Sequence, residues 1–459
     1  MRGRHHDTVV EDPEWHCWRL LQINYTDKKP ENIFDKYCDY WYAWYDYTSK
    51  YNTAFFEATI KSVKSFLNAN DESIQKTQNT IRAAFDSALR QRISEESFAS
   101  SMANLVSARI KFVKFFGYDK VYNNLTDFFL VGNRALEPIR DNIHRTPSEV
   151  IPMNGRFDLL HYKPIVEQKH KTPLLIVYSL INRHYIMDLL PNVSIIKTLL
   201  KQGFDIYATD LGTPDSTYKD MTIDNYAHEY VENAVEKIKE ITGSEKVSLF
   251  GYCWGGIFVL IHSAIHPENV KNLILHATPI DLEQTNTVIE NWTKHIDADN
   301  LVDTFGNVPG WFLNMAFILR NPVEAMLKYW RYFSEPRRLD EIRQFFAIES
   351  WLYDSVPIIG PVYREIINQI YKKNLLIKNK MKVGSELVDL KKITMPILNI
   401  VGAKDDLVPP PSSKSVMNVI SSSDKKLIEF PTGHVGLCVS PNAHEQLWPE
   451  VGKWLAKRS

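Results

Sequence analysis

The run "LFGYCWGGIFVL", Leu249 to Leu260, decides the fold. Residues that favour a strand lead into a glycine-rich turn, and an apolar run with the character of a buried helix follows. Gly251, Cys253 and Gly255 stand in a G-x-C-x-G frame, which Gly256 extends. Small residues on both sides of such a turn let the backbone pass close to its neighbours where a Cβ would clash. One side chain is presented at the tip, and it is a thiol.

The surroundings of this run have the texture of an α/β protein. The runs "PLLIVY" (Pro173 to Tyr178), "FDIYAT" (Phe204 to Thr209), "VSLF" (Val247 to Phe250), "NLILH" (Asn272 to His276), "PILNIV" (Pro396 to Val401) and "KLIEF" (Lys426 to Phe430) read as buried strands. Near-continuous β-favouring runs that alternate with helices predict a mostly parallel central sheet covered on both faces. The helix ahead of the cysteine strand shows an apolar stripe at Ala227, Tyr230, Val231, Ala234, Val235 and Ile238. The chain between "NLILH" and "PILNIV" is too long for a simple crossover and is rich in aromatics such as Trp311, Phe312, Trp330, Phe346 and Trp351. It predicts a helical cap inserted at about 283–390.

Upstream the texture differs. Between Pro30 and Pro138 there is no proline, and the only glycines are Gly117 and Gly132. Apolar residues recur there at helical spacing, as in Ile81, Ala84, Phe85, Ala88 and Leu89. The reading is a helical N-terminal region over 1–145 and a catalytic α/β domain over 146–459. The aromatic run "DYWYAWYDYTSKY" (Asp39 to Tyr51) fits a core stripe or an assembly surface.

Composition narrows the function. Lysine plus arginine (54) nearly balances aspartate plus glutamate (55), so no basic footprint points to nucleic acid or an anionic membrane. The four cysteines, Cys17, Cys38, Cys253 and Cys438, have neither disulfide-scaffold nor zinc-site spacing, which predicts a reducing compartment and no metal. His16 beside Cys17 lacks a matching ligand pair. The opening "MRGRHHDTVVEDPEW" has no apolar signal core, and no run of about 18 apolar residues could span a bilayer. A cytoplasmic protein is the expectation.

A strand, a G-x-[nucleophile]-x-G turn and a helix together form the nucleophile elbow of the α/β-hydrolase fold. A lone cysteine is commonly a small buried hydrophobe, but the complete elbow around Cys253 argues for a nucleophile. The helix N-terminus behind it favours the thiolate. A nucleophile needs a base and a group to orient that base. In this fold they follow in the order acid, then histidine, on loops after late strands. "GAKDDLVPP" after "PILNIV" supplies Asp405 and Asp406, and "PTGHVG" after "KLIEF" supplies His434. Cys438, four residues on, reads as a core residue.

These residues resemble the polyhydroxyalkanoate synthases, especially the shorter class III and IV catalytic subunits, which carry G-x-C-x-G-G where lipases carry a serine box. "GYCWGG" matches it, and the resemblance continues through "VYSLINRHYIMDLLPNVSIIKTLLKQGFDIYATDLGTPD", "FGNVPGWFLNMAFILRNP", "ESWLYDS", "VDLKKITMPILNIVGAKDDLVPP" and "GHVGLCVSP". It covers the chain from about Thr146 to the C-terminus. The resemblance implies Cys253 as the acyl-bearing nucleophile, His434 as general base and Asp405 as the orienting acid. The family usually has Asp-His where this chain has Asp405 and Asp406, so the first aspartate is the matching one. The backbone N–H of Trp254 is implied as one oxyanion donor, with Ile181 after "LLIVY" as the other.

The implied reaction polymerises (R)-3-hydroxyacyl-coenzyme A into polyester with release of coenzyme A and no cofactor. Implied partners are the growing polyester, a second protomer or a small helical subunit, at the surface of a storage granule in the cytoplasm. Transfer from one thioester to another changes free energy little, which answers why a thiol stands at the elbow. An acyl hydrolase on the same fold is the competing enzyme class. A noncatalytic binding protein would require a broken triad, and all three positions are filled.

Overall fold

The computed structural model describes residues 145–153, 157–285, 287–321, 328 and 339–459, and all six apolar runs become strands of one sheet there. Apart from Arg145, the region read as helical over 1–145 lies outside the described residues, with its aromatic run Asp39 to Tyr51. So do Cys17, Cys38 and the cap residue Trp330. Apart from residues 321 and 328, the described residues form one compact unit.

The sheet has eight strands: β1 (Ser148–Pro152), β2 (Asp158–Tyr162), β3 (Leu174–Val177), β4 (Ile206–Asp210), β5 (Val247–Tyr252), β6 (Val270–His276), β7 (Ile397–Gly402) and β8 (Lys425–Phe430). Their order is β1-β2-β4-β3-β5-β6-β7-β8. The β1/β2 and β2/β4 pairs are antiparallel, and every later pair is parallel. Parallel strands are covered on both faces, so their side chains are apolar in sequence. Every residue of β3, β5 and β7 is buried, whereas edge strand β1 is largely exposed.

Short helices connect the strands. The α1 helix (Ile195–Leu200) starts at Ser194, whose hydroxyl accepts from Lys197 N–H at 2.8 Å. The apolar stripe read between β4 and β5 begins as a π-helix, Asn225–Glu232, and continues as α2 (Asn233–Thr242), which ends at left-handed Gly243. All six of its stripe residues are buried. The α3 helix (Trp254–Ile265) is buried along its whole length and packs on β3, β5 and β6.

Among the described residues, the chain between β6 and β7 is mostly helical. It comprises α4 (Val288–His295), α5 (Ala298–Phe305), α6 (Gly310–Arg320), α7 (Leu339–Tyr353) and α8 (Gly360–Glu365), the last running into a π-helix at Ile366–Lys372. Thr287 and Glu290 close a capping box at the start of α4.

Candidate active site

Cys253 follows β5 directly and caps α3 with φ 51 and ψ −117, a conformation that costs a non-glycine residue about 1–3 kcal/mol. Its surroundings hold it there. The Cys253 N–H donates to His276 O at 2.8 Å, and its carbonyl accepts from Gly256 N–H at 3.0 Å. A Cβ on Gly255 would stand 2.0 Å from the carbonyl oxygen of Val177, and one on Gly256 would stand 1.9 Å from Thr278 Oγ1. The elbow therefore needs its glycines because α3 presses on the end of β3 and on the turn after β6. Cys253 itself is 6% exposed.

Two loops bring the acid and the base together at the carboxyl ends of β7 and β8. They are stitched to each other: Ala403 N–H donates to Phe430 O at 2.7 Å, and Lys404 N–H to Thr432 O at 3.0 Å. Asp405 Oδ1 accepts from the backbone N–H groups of Leu407 (3.0 Å) and Val408 (2.8 Å). Its other oxygen, Oδ2, is left to bond His434 Nδ1 at 2.7 Å. The adjacent Asp406 points outward, with its side chain 63% exposed and 2.6 Å from Arg320 Nη1.

His434 is buried, and its pKa is raised from 6.5 to about 10. Burial is the largest influence and acts downward. It is outweighed by the Asp405 charge, by Cys253 and by the hydrogen bonds to both side chains. With Nδ1 committed to Asp405, Nε2 remains for Cys253. The structure thus brings together Cys253, His434 and Asp405 and leaves Asp406 outside.

The other two predicted site residues are backbone donors. Trp254 is the first residue of α3, where N–H groups have no intrahelical acceptor. Its ring packs against Tyr371 of the cap, with centroids 5.8 Å apart. The Ile181 N–H donates to Ser179 Oγ at 3.2 Å. Cys438 is fully buried with Sγ 4.0 Å from Met187 Sδ, and burial pushes its thiol well above the usual range. His161, which has no motif of its own, bonds Asp205 at 2.8 Å.

Sequence reasoning missed two features beside the triad. His276 lies fully buried among Phe250, Tyr252 and Trp448 with neither ring nitrogen hydrogen-bonded. Burial, then the charge of His434, hold it well below the ordinary histidine range, so it is neutral. No residue pattern marks it, because a histidine ending a strand is compatible with any role. The second feature is a bonded seam between the loop after β3 and the "ESWLYDS" segment, whose two halves are too far apart in sequence for any local signal. A cleft beside that loop is lined by Ser179, Asn182, Arg183, His184, Asp210 and Ile358, and Cys253 is not part of its wall.

Among the described residues no group of three or more histidine, cysteine, aspartate or glutamate side chains is placed to hold a metal, and no helix is long and apolar enough to cross a membrane.

Known proteins can be set beside this geometry. The alpha/beta hydrolase fold family matches residues 172–441, and the N-terminus of poly-beta-hydroxybutyrate polymerase (PhaC) matches residues 49–199. The poly(3-hydroxyalkanoate) polymerase subunit PhaC of Haloferax mediterranei is 39% identical over 321 residues, 69% of this chain and 65% of that protein. Its counterpart from Haloarcula marismortui is 36% identical over 354 residues, 74% of each chain. A soluble variant of the Saccharomyces cerevisiae monoglyceride lipase, solved with a substrate analogue, aligns with a TM-score of 0.46 at 14% identity, over 69% of this chain and 97% of that one. With a fold-family match over more than half of its length and a relative 36% identical that it covers to 74%, the chain belongs to the poly(3-hydroxyalkanoate) polymerase family of enzymes on the α/β-hydrolase fold.

Proposed function

We propose that the protein polymerises (R)-3-hydroxyacyl-coenzyme A into polyhydroxyalkanoate, releasing coenzyme A through a covalent thioester on Cys253. The observation that carries this reading is a thiol held at a strained elbow beside a histidine whose far nitrogen is tied to a buried carboxylate at 2.7 Å. That combination supports nucleophilic acyl transfer.

In the first half of the cycle the Cys253 proton is already held by His434 as an imidazolium, and the thiolate attacks the substrate thioester carbonyl. The N–H groups of Trp254 and Ile181 stabilise the oxyanion that forms. The bond from carbon to the coenzyme A sulfur then breaks, and the imidazolium returns its proton to the leaving thiolate. In the second half the 3-hydroxyl of another unit gives its proton to His434 and attacks the Cys253 thioester. An ester bond forms and the thiol is regenerated. Asp405 keeps the imidazole in one tautomer and balances its charge.

A thiol suits this cycle because exchange between thioesters is nearly isoenergetic. A serine ester would lie lower and be a poorer acyl donor to the next hydroxyl. Water would end the chain, and the low exposure of Cys253 with the Tyr371 ring over Trp254 supports its exclusion. The same reading gives the enzyme a second protomer or a small helical partner and a place in the cytoplasm on the surface of the polyester granule. No cofactor enters the cycle.

The test follows the acyl group. Purified protein given 3-hydroxybutyryl-coenzyme A is expected to release coenzyme A while insoluble polyester accumulates. Stoichiometric soluble 3-hydroxybutyrate without polymer would make the enzyme a thioesterase and overturn the reading.

A further inference from the structure

The loop that follows β3 carries Ile181, and the residues just after it are bonded to one short segment at the end of α7. Asn182 Nδ2 donates to Trp351 O at 3.3 Å, and Ser355 Oγ lies 2.7 Å from Asn182 Oδ1 and 2.6 Å from Asn314 Oδ1, which share its one proton. Trp351 Nε1 donates to Arg183 O at 2.7 Å. Arg183 Nε donates to Asp354 Oδ1 at 3.0 Å, and Tyr185 OH donates to Asp354 Oδ2 at 2.9 Å. Loop and cap thus meet in a polar seam of five hydrogen bonds.

Asn182 is the residue of this seam that follows Ile181 directly in the chain. It is 7% exposed and has φ 60, a left-handed conformation that asparagine tolerates better than most residues. Both ends of its side-chain amide meet the cap, which anchors the loop at the residue immediately after Ile181 and so limits the backbone that carries the Ile181 N–H. On the other side Ser179 Oγ accepts the Ile181 N–H. A neutral hydroxyl is a weaker acceptor than a full oxyanion, so charge developing on the acyl group can draw that N–H away.

We propose that Asn182 is a positioning residue: held by Trp351 and Ser355 of the cap, it fixes the loop that aims the Ile181 N–H at the oxyanion formed on Cys253. The proposal rests on the polymerase reading above and deepens it. It makes docking of the cap a condition of fast acyl transfer, since the cap supplies the groups that hold the oxyanion loop. A seam that only joined cap to sheet would contribute to stability and leave the chemistry alone.

Two variants of the full chain separate these roles. Asn182→Gly keeps the left-handed backbone accessible and removes both side-chain bonds. Trp351→Phe keeps an aromatic ring and removes the N–H that holds Arg183 O. For each, the rate of coenzyme A release in the first turnover with saturating 3-hydroxybutyryl-coenzyme A is compared with the rate of Cys253 alkylation by iodoacetamide. Alkylation displaces iodide at a saturated carbon and forms no oxyanion.

Asn182→Gly and Trp351→Phe are expected to slow acylation roughly ten- to a hundred-fold, less than or equal to deletion of an oxyanion donor. Alkylation should stay within about two-fold of the parent, showing that the thiol and its histidine are intact. Acylation kept at the parent rate in a folded variant, or acylation and alkylation falling together, would overturn the positioning role. If one variant does not fold, the other decides. A parent chain that releases no coenzyme A, or that keeps turning over after Cys253 is alkylated, would instead refute the polymerase reading and the role of Asn182 with it.

Discussion

Asp405 and Asp406 are adjacent and chemically identical, and their surroundings assign them different work. Two backbone N–H groups turn Asp405 into the site and leave one oxygen for His434, whereas Asp406 faces solvent and Arg320. Asp405→Asn is expected to cut turnover about a hundred-fold or more by destroying the tautomer that His434 needs. Asp406→Asn should change turnover by no more than about two-fold, since exposed ion pairs contribute little. Steady-state rates of the two variants decide it, and the reverse order would exchange their roles. The same pair gives stability a pH dependence. His434 has a folded pKa of about 10 against 6.5 when unperturbed. Its protonated form therefore stabilises the fold fully below pH 6.5, and that contribution is lost as pH rises through about 10. The melting-temperature gap between the parent and His434→Gln should be widest near pH 6 and narrow steadily toward pH 10. A gap constant across that range would mean that His434 is not held as an imidazolium.

At the scale of elements, what could be read in advance follows locality. The elbow is a contiguous strand, turn and helix, and its glycines, apolar helix and single protruding side chain are all visible in "LFGYCWGGIFVL". Five of the six parallel strands were legible for a similar reason, because burial on both faces leaves continuous apolar runs; β8, read as buried from "KLIEF", is instead an edge strand in which only Phe430 is buried, since no further strand covers it. The β1 and β2 strands were not. They are five residues each, β1 is mostly exposed, and neither "SEVIP" nor "DLLHY" forms a long apolar run. The π-helical turn ahead of α2 also escaped notice, since a helical stripe keeps nearly the same spacing through one wide turn. The choice between the two aspartates could not come from residue type, because backbone N–H groups of a later turn make it. The seam on the oxyanion loop joins Asn182 to Trp351 and Ser355, with sequence separations of 169 and 173 residues. Nothing local encodes such a pairing; it exists only once the cap returns to the sheet.

At the scale of the whole molecule, the family match to a polymerase N-terminus spans residues 49–199 and so runs from the helix-patterned region into α1. The aromatic stripe containing Trp41, Trp44 and Tyr45 precedes it. Apolar faces of amphipathic helices need a surface to cover, and assembly with a second protomer, a partner subunit or a nascent granule would supply one. Deleting residues 1–130 is expected to change the oligomeric state or lengthen the lag before polymer appears, with the alkylation rate of Cys253 unaltered. Unchanged assembly and unchanged kinetics would remove that role. The claim on which everything else depends is that the growing polyester is carried on Cys253 as a thioester. It is tested most directly by mixing the enzyme with 3-hydroxybutyryl-coenzyme A, quenching in acid within the first turnovers, and weighing the proteolytic peptide that contains Cys253. The expected result is a ladder of adducts on that peptide, spaced by one hydroxybutyryl unit and removed by hydroxylamine. An unmodified Cys253 peptide during active coenzyme A release, or the ladder on any other residue, would contradict it.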